Sequence, residues 1–257
     1  MGCGYEISKW EHDAVQDSLA GKNTEPDPKI LEETMPEVEK AIEERIEEVA
    51  EEKIDERIEK GAEREAEKEL TPEIVEKFFT NEYHSWRQEI RNEIPMYQYY
   101  QREGPEKEGR KVMASLISDP ATGRSGIAVY KQTPNEAKRN ITHEFVEKDY
   151  ELMPENEKER LEKEIWPTTD REKETNFFDQ WGKGYGEYSV RDHQQNYCFW
   201  MTALKSKTES KERLDELKKI NEEKFNFCKK RLIANEREVI RERLIEGGAY
   251  SPHSFFS

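Results

Sequence analysis

Five histidines, three cysteines and one glycine cluster are the residues of this chain whose types and spacing invite chemistry. His12, His84, His143, His193 and His253 stand far apart, and none forms a His-x-x-x-His pair or sits in a Glu-containing metal motif, so zinc chemistry has no spacing to rest on. Cys3, Cys198 and Cys228 form no Cys-x-x-Cys; Cys198 and Cys228 read as reduced, buried, small apolar residues. Asp192-His193 near Ser189 offers hydrolase residue types, yet no Gly-x-Ser-x-Gly nucleophile elbow exists to present the serine. Gly182-Lys183-Gly184-Tyr185-Gly186 fails as a phosphate cradle. A P-loop needs four residues between its glycines followed by Lys and Ser or Thr, and the dinucleotide fingerprint needs its third glycine one place further along, so the run reads as a flexible loop. Carboxylates are too abundant for any pair to be singled out. No catalytic, cofactor-binding or metal-ligating residue is assigned, no cofactor is expected, and the chain reads as a non-enzyme. A deep pocket with convergent polar groups is the feature that would reverse that reading.

Composition bounds the elements that would position any site. Of 257 residues, 33% are hydrophobic and 39% charged, against about 45–50% and 25% in ordinary globular domains. That balance predicts little private core. Aromatics at 10% and five tryptophans, Trp10, Trp86, Trp166, Trp181 and Trp200, argue against disorder and predict small anchoring clusters, each completed by another protein. The expected fold is mainly α and elongated, with several long charged helices, one short β-hairpin at about 111–132 and extended arms.

Charge is concentrated. From Pro36 to Leu70 there are fifteen acidic residues (fourteen Glu and Asp55) and seven basic ones, so thirty-five residues hold −8 of the formal −16. The segment reads as one solvated acidic helix over 36–70, supported by i, i+4 pairs such as Glu56 with Lys60. Its apolar stripe, Val38, Ile42, Ile46, Val49, Ile54, Ile58, Ala62, Ala66 and Leu70, recurs on average every four residues. A helical turn needs 3.6, so the stripe winds around the helix and suits successive partners better than a coiled-coil seam.

Around that helix the chain divides by local signals. Residues 1–35 read as an extended arm pinned by Trp10, Ile30 and Leu31, with Pro26, Pro28 and Pro36 opposing continuous helix. Residues 71–166 read as a helical region with the hairpin. Thr71-Pro72-Glu73 starts a helix running to about Ile94, its face formed by Phe78, Phe79, Tyr83, Trp86 and Ile90, and the aromatic run Met96–Tyr100 follows Pro95. Val112, Ala114 and Leu116 alternate before the turn residues 119–123, and Ile127–Tyr130 returns as a second strand. Thr133-Pro134 starts a helix to about Leu152 with Ile141, Phe145 and Val146 inward, and Met153-Pro154 breaks it before another helix to Trp166. Residues 167–195 read as an aromatic loop carrying Phe177, Phe178, Trp181, Tyr185 and Tyr188. Residues 196–246 read as a long C-terminal helical region bent near Lys205–Ser210; with thirteen basic and nine acidic residues between Lys205 and Arg243, it is the electrostatic counterpart of the acidic helix. Residues 247–257 read as a docking tail anchored by Phe255 and Phe256.

No apolar run reaches the eighteen residues of a spanning helix; the best is Tyr197–Leu204. Met1–Ala20 is acidic without an apolar centre, so neither a secretory signal nor an Arg-rich transit peptide is read there. Glu6 stands where a myristoylation pattern wants Ser or Thr, which argues against acylation at Gly2-Cys3.

Two short resemblances bear on function. Tyr150, Met153, Lys158 and Leu161 fall where the last two helices of an HMG box carry Trp, Leu, Lys and Tyr, with Pro154 at the box's capping Ser. Over about twenty-five residues this resembles the helical corner of that family and, with the basic stretch Lys218–Arg231, implies the alternative function, a nucleic-acid or chromatin-associated module. Duplex binding releases counterions through Lys and Arg, so the acidic Glu144–Glu164 argues against DNA. Tyr97–Tyr100, the Cys-containing helical C-terminal half and Gly248-Ala249-Tyr250-Ser251 are similar to the PDSW accessory subunit of respiratory complex I, although that family's cysteine pairs are missing. This second resemblance implies a charged helical protein imported without a presequence. The expected function is therefore a non-catalytic accessory or scaffold subunit of a large assembly, a mitochondrial respiratory-chain-type membrane complex, with the cytoplasm as the other compartment. Its expected partners are other protein subunits, with no membrane span of its own and neither nucleic acid nor a small molecule as ligand.

Overall fold

The computed structural model describes residues 28–61, 69–107, 109–118 and 125–247, and their fold is mainly α, 69% helical with ten α-helices and a three-stranded sheet. In chain order the elements are α1 (Pro28–Lys60), α2 (Pro72–Tyr83), α3 (Gln88–Glu93), β1 (Tyr97–Tyr99), β2 (Glu106–Lys107), β3 (Arg110–Lys111), β4 (Ala114–Ser118), β5 (Ser125–Val129), α4 (Pro134–Glu151), α5 (Glu155–Arg160), α6 (Arg171–Asp179), α7 (Tyr185–Ser189), α8 (His193–Lys205), α9 (Lys211–Ile220) and α10 (Glu222–Glu246). They belong to two units, residues 49–240 and residues 1–48 with 241–257.

Local signals set most of the starts. Thr71 Oγ1 accepts the Ile74 N–H at 3.4 Å, and Thr133 and Glu136 exchange a reciprocal capping box at the head of α4. The acidic helix differs from its predicted bounds at both ends. It begins at Pro28, a first-turn position where the missing N–H is no loss, so residues 28–35 are helix instead of extended arm. It stops at Lys60, because Gly61 takes φ +58° and its N–H caps the Arg57 carbonyl at 3.2 Å. A Cβ at Gly61 would lie 2.5 Å from the Lys211 nitrogen, so the stop also lets the chain pass close to α9. Glu56 and Lys60 form their ion pair. The predicted arm over 1–27, the stripe residues Ala62 and Ala66, the hairpin turn at 119–124 and the tail with Phe255 and Phe256 lie outside the described residues.

Two predicted helices are broken by partners distant in sequence. The helix expected from Thr71 to Ile94 ends at Tyr83 and restarts at Gln88. In the turn between, Asn235 accepts the Arg87 N–H at 3.1 Å and donates to the Ser85 carbonyl at 2.8 Å, which satisfies the freed backbone groups. The region 196–246 is three helices. Besides the predicted break before Ser210, Asn221 interrupts it, caps α10 by accepting the Lys224 N–H at 2.9 Å and donates to Thr169 Oγ1 at 2.8 Å. Residues 167–195 are not a loop: Asp170 caps α6, and Gly184 at φ +86° opens α7.

The expected hairpin is present as β4 and β5, antiparallel with Ala114 opposite Val129. The run Met96–Tyr100 supplies β1, which pairs parallel to β5 with Tyr97 opposite Ile127, so the sheet order is β1-β5-β4. Gly126 permits this approach, since a Cβ there would meet Met96 Cγ at 2.7 Å.

Contrary to the expectation of little private core, residues 49–240 hold a contiguous buried cluster running from Ile54 to Leu232. Averaged composition hid it: charge gathers on outer helices such as α1, while the scattered aromatics converge. Trp86 stacks on Phe145 at 6.2 Å, and Phe178, Trp181, Tyr185 and Tyr188 surround Phe199. At the centre lies α8, every residue of which from Asn196 to Lys205 is buried, as expected of a helix apolar on all sides. Cys198 and Cys228 are buried and free, and burial pushes the Cys228 thiol up to about 12. The acidic and basic helices do engage: Lys53 reaches Glu236 at 2.9 Å and Lys229 reaches Asp55 at 2.5 Å.

In the other unit, Arg241 Nε donates to Glu43 Oε1 at 3.0 Å, while Val38 and Ile245 stay 49% and 45% exposed. No helix among the described residues is long and apolar enough to cross a membrane.

Candidate functional site

Within residues 49–240 the chain encloses a cleft of about 780 Å³. One wall is a face of α4, where Arg139, Asn140, His143, Glu144 and Glu147 recur at helical spacing opposite the buried Ile141, Phe145 and Val146. A second is α8, which offers Gln195, Phe199 and Thr202 at i, i+4 and i+7. Trp181, Tyr185 and Tyr188, from the turn before α7 and from α7, form a third, and residues 105–107 and 111–116 line a fourth side.

The aromatic wall is held by its neighbours. Trp181 stacks on Phe199 at 5.6 Å and donates its indole N–H to Glu209 Oε1 at 2.7 Å. The Arg139 guanidinium lies 4.8 Å from the Trp181 ring and 3.8 Å from Glu209.

The polar wall separates two neighbouring carboxyls. Burial, then the charge of Glu147, raises the Glu144 carboxyl well above the usual range despite the Leu116 backbone N–H that it accepts. Burial also works on Glu147, but the nearby His143 and the Gln195 amide outweigh it, so this carboxyl sits below the usual range. His143 Nε2 is 3.6 Å from Glu147 Oε1, and Gln195 Nε2 donates to the same oxygen at 3.1 Å. The two neighbouring carboxyls are thus shifted in opposite directions. Two further polar atoms on the wall are buried without a hydrogen-bond partner, Thr202 Oγ1 and Gln195 Oε1, and Thr202 is fully buried. A buried orphan costs about 1–3 kcal/mol.

Of the residues weighed in the sequence, the structure brings only some here. His143 and Asp192 line the cleft; Asp192 is the α8 cap, accepting the Gln195 N–H at 2.6 Å. His193 packs on Trp166 at 3.8 Å, and the buried Ser189 hydroxyl donates to the Gly186 carbonyl, so Asp192, His193 and Ser189 do not form a relay. The Gly182–Gly186 run spends its backbone donors internally: Asp179 Oδ1 accepts the N–H groups of Gly184 and Gly186 at 3.1 and 2.8 Å. Among the described residues no group of three His, Cys, Asp or Glu is placed to hold a metal. Tyr150, Met153 and Leu161 are buried at the corner between α4 and α5, with the Lys158 ammonium 5.5 Å from the Tyr150 ring.

The cleft's polar face went unread because α4 was read for its apolar stripe alone. The i, i+4, i+5, i+8 pattern of Arg139, His143, Glu144 and Glu147 was its available signal. Compared with family models, curated proteins and solved structures, the chain finds no match in any of the three.

Proposed function

We propose that residues 49–240 form a small-molecule-binding domain whose site is the cleft between α4 and α8. One observation carries this reading: polar side chains from separate segments, Arg139, His143, Glu144 and Glu147 of α4 and Gln195 of α8, converge on one cleft with the rings of Trp181, Tyr185 and Tyr188. A volume of about 780 Å³ lies within the roughly 300–1,000 Å³ typical of ligand sites. The reading departs from the sequence-based expectation that no small molecule binds. Its test is a chemically diverse fragment library screened against the full chain by NMR. Hits should cluster on the Trp181 indole and the Gln195 side-chain amide, and a library that leaves both signals unmoved sinks the proposal.

A second reading, the non-catalytic accessory subunit, draws on the exposed Val38 and Ile245 in the unit of residues 1–48 and 241–257. Its partner is another protein subunit, and the host that the resemblance implies is a mitochondrial respiratory-chain-type complex. Affinity purification of the native protein tests it; loss of every co-purifying protein on replacing Val38 and Ile245 with Ser supports it, and an unchanged set of partners removes its support.

A further inference from the structure

Resting on the reading of the cleft as a ligand site, we infer that it takes an extended peptide segment, which adds as a further strand along the free edge of β4 and is held there through its main chain.

The sheet order β1-β5-β4 leaves two edges. β1 is three residues long, and a short edge offers little to pair with. β4, Ala114-Ser115-Leu116-Ile117-Ser118, has five residues and neither a charge nor a proline, the usual blocks on an open edge. Its first four residues are half-exposed, whereas β5 beside it is buried from Gly126 to Val129.

The cleft runs along that edge. Successive residues of a strand turn to opposite faces, so a cavity lying on one face would be lined by every second residue. Val112, Met113, Ala114, Ser115 and Leu116 all line this one.

The ladder identifies the groups that point outward. The Ile127 N–H donates to the Met96 carbonyl at 3.0 Å and the Tyr100 N–H donates to the Val129 carbonyl at 2.9 Å, so Ile127 and Val129 face β1, and Gly126 and Ala128 bond Ile117 and Ser115. Ala114 and Leu116 therefore direct their N–H and C=O groups away from β5. The Leu116 N–H is taken by Glu144, and the Val112 N–H, on the same side, donates to the Pro105 carbonyl at 2.8 Å. Among the described residues the Ala114 N–H and C=O and the Leu116 C=O have no hydrogen-bond partner. These groups recur at a two-residue interval, about 6.4–6.8 Å of strand. An extended main chain repeats donor and acceptor at the same interval, so its bonding groups match all three. Charges of both signs line the cleft, Lys111, Arg139 and Arg191 with Glu136, Glu147 and Asp192, so no single sign favours a small ion. The walls from α4, α7 and α8 flank the edge, which favours a lone segment over the broad sheet edge of a second copy.

The test screens the full chain against a library of random capped hexapeptides and follows amide hydrogen exchange by NMR. At least one peptide should bind and slow exchange of the Ala114 N–H, while that of Ser115, already bonded to β5, changes little. N-methylation of that peptide should weaken binding tenfold or more at alternate residues only. Ala114→Pro removes one outward N–H and spares the β4–β5 ladder, so it should melt like the parent and bind tenfold or more weakly. Peptide binding that leaves Ala114 exchange unchanged, or that is indifferent to N-methylation at every position, overturns strand addition. Slow Ala114 exchange in the free chain also overturns it, the edge then being filled by a second copy if the slowing depends on concentration and by a segment of this chain if it does not. Fragment hits in the cleft with no peptide binder overturn the ligand class and leave the binding domain standing. If neither fragments nor peptides bind there, both readings fall together.

Discussion

Helix α8 carries polar groups into two buried places, and the two are finished differently. On one side Lys224, Glu174, Asn196 and the Trp200 indole form an ionic cluster: the Lys224 ammonium donates to Glu174 Oε1 at 3.2 Å and to Asn196, and Asn196 donates to Glu174 at 2.8 Å and to the Ser189 carbonyl at 3.0 Å, while Glu174 Oε2 has no partner. Both ions of that pair are fully buried. On the other side Gln195 and Thr202 line a cleft, and the Gln195 carbonyl oxygen and Thr202 hydroxyl are buried without a partner. Burial alone therefore does not mark a functional group. The first is an ion pair that ties α6, α8 and α10 together with one carboxylate oxygen left over; the second is neutral, with two atoms left over.

The largest effect should come from breaking the buried ion pair. Lys224→Met leaves the Glu174 charge without its counter-ion and should cost about 3–5 kcal/mol in denaturant unfolding, while Lys224→Met with Glu174→Gln should recover most of that loss. If the double variant is as unstable as the single one, the cluster is held by shape and not by charge pairing.

Next is Lys205, at the last turn of α8, whose ammonium donates to the Ser85 carbonyl at 3.2 Å and lies 4.3 Å from the Trp86 ring. Burial, and to a smaller extent the charge of Arg57, lowers it to about 8, against the pull of Glu82, Glu236 and Asp149. Unfolded, the residue keeps its proton up to about 10.4. Between those values the unfolded chain binds more protons, so this residue's contribution to stability rises with pH, by on the order of 3 kcal/mol in full. Tyrosines and cysteines titrate in the same range, so the comparison must be with Lys205→Met: the parent should gain on the variant from pH 7 to 10.5 and not below 7. A constant difference across that range would mean that Lys205 is hydrated.

In the cleft, Glu144→Gln should raise the melting temperature at pH 7 and leave it unchanged at pH 4. The folded carboxyl holds its proton above the unfolded value, so the native glutamate loses stability as pH climbs past about 4.3, and an amide does not. A lower melting temperature at pH 7 would show an ionised Glu144. Thr202→Val should stabilise, by at most about 1–3 kcal/mol in a thermal melt, because no bond is broken and an unpaired buried hydroxyl is removed. A loss above about 1.5 kcal/mol would reveal a partner for that hydroxyl and remove the contrast with Asn196.

Legibility in the sequence followed the range of the interaction. Thr71-Pro72, Thr133-Pro134 and the β4–β5 hairpin were readable because cap and turn chemistry is settled within a few residues. The breaks at Ser85–Arg87 and Asn221 were not, since their backbone groups are satisfied by Asn235 and Thr169, far along the chain. Gly61 was a readable stop that the long run of Glu and Lys on both sides obscured. The core was misjudged by averaging α1 with segments as apolar as Tyr197–Leu204. No cleft residue was legible as such, because each wall comes from a different segment and glutamates are too common for one pair to stand out.

Having no solvent face from Asn196 to Leu204, α8 also orders events during synthesis. It leaves the ribosome before α10, yet Asn196 needs Lys224, and Tyr197 packs on Phe227 at 6.4 Å. Until the C-terminal helix emerges, Phe199, Trp200, Met201 and Leu204 have no complete shelter, so a nascent chain halted near residue 220 is the sticky species that chaperones must hold. The last helix to be translated is thus a gate for all that precedes it. Truncation within α10 should send the protein to aggregates and degradation, and not to a smaller working domain.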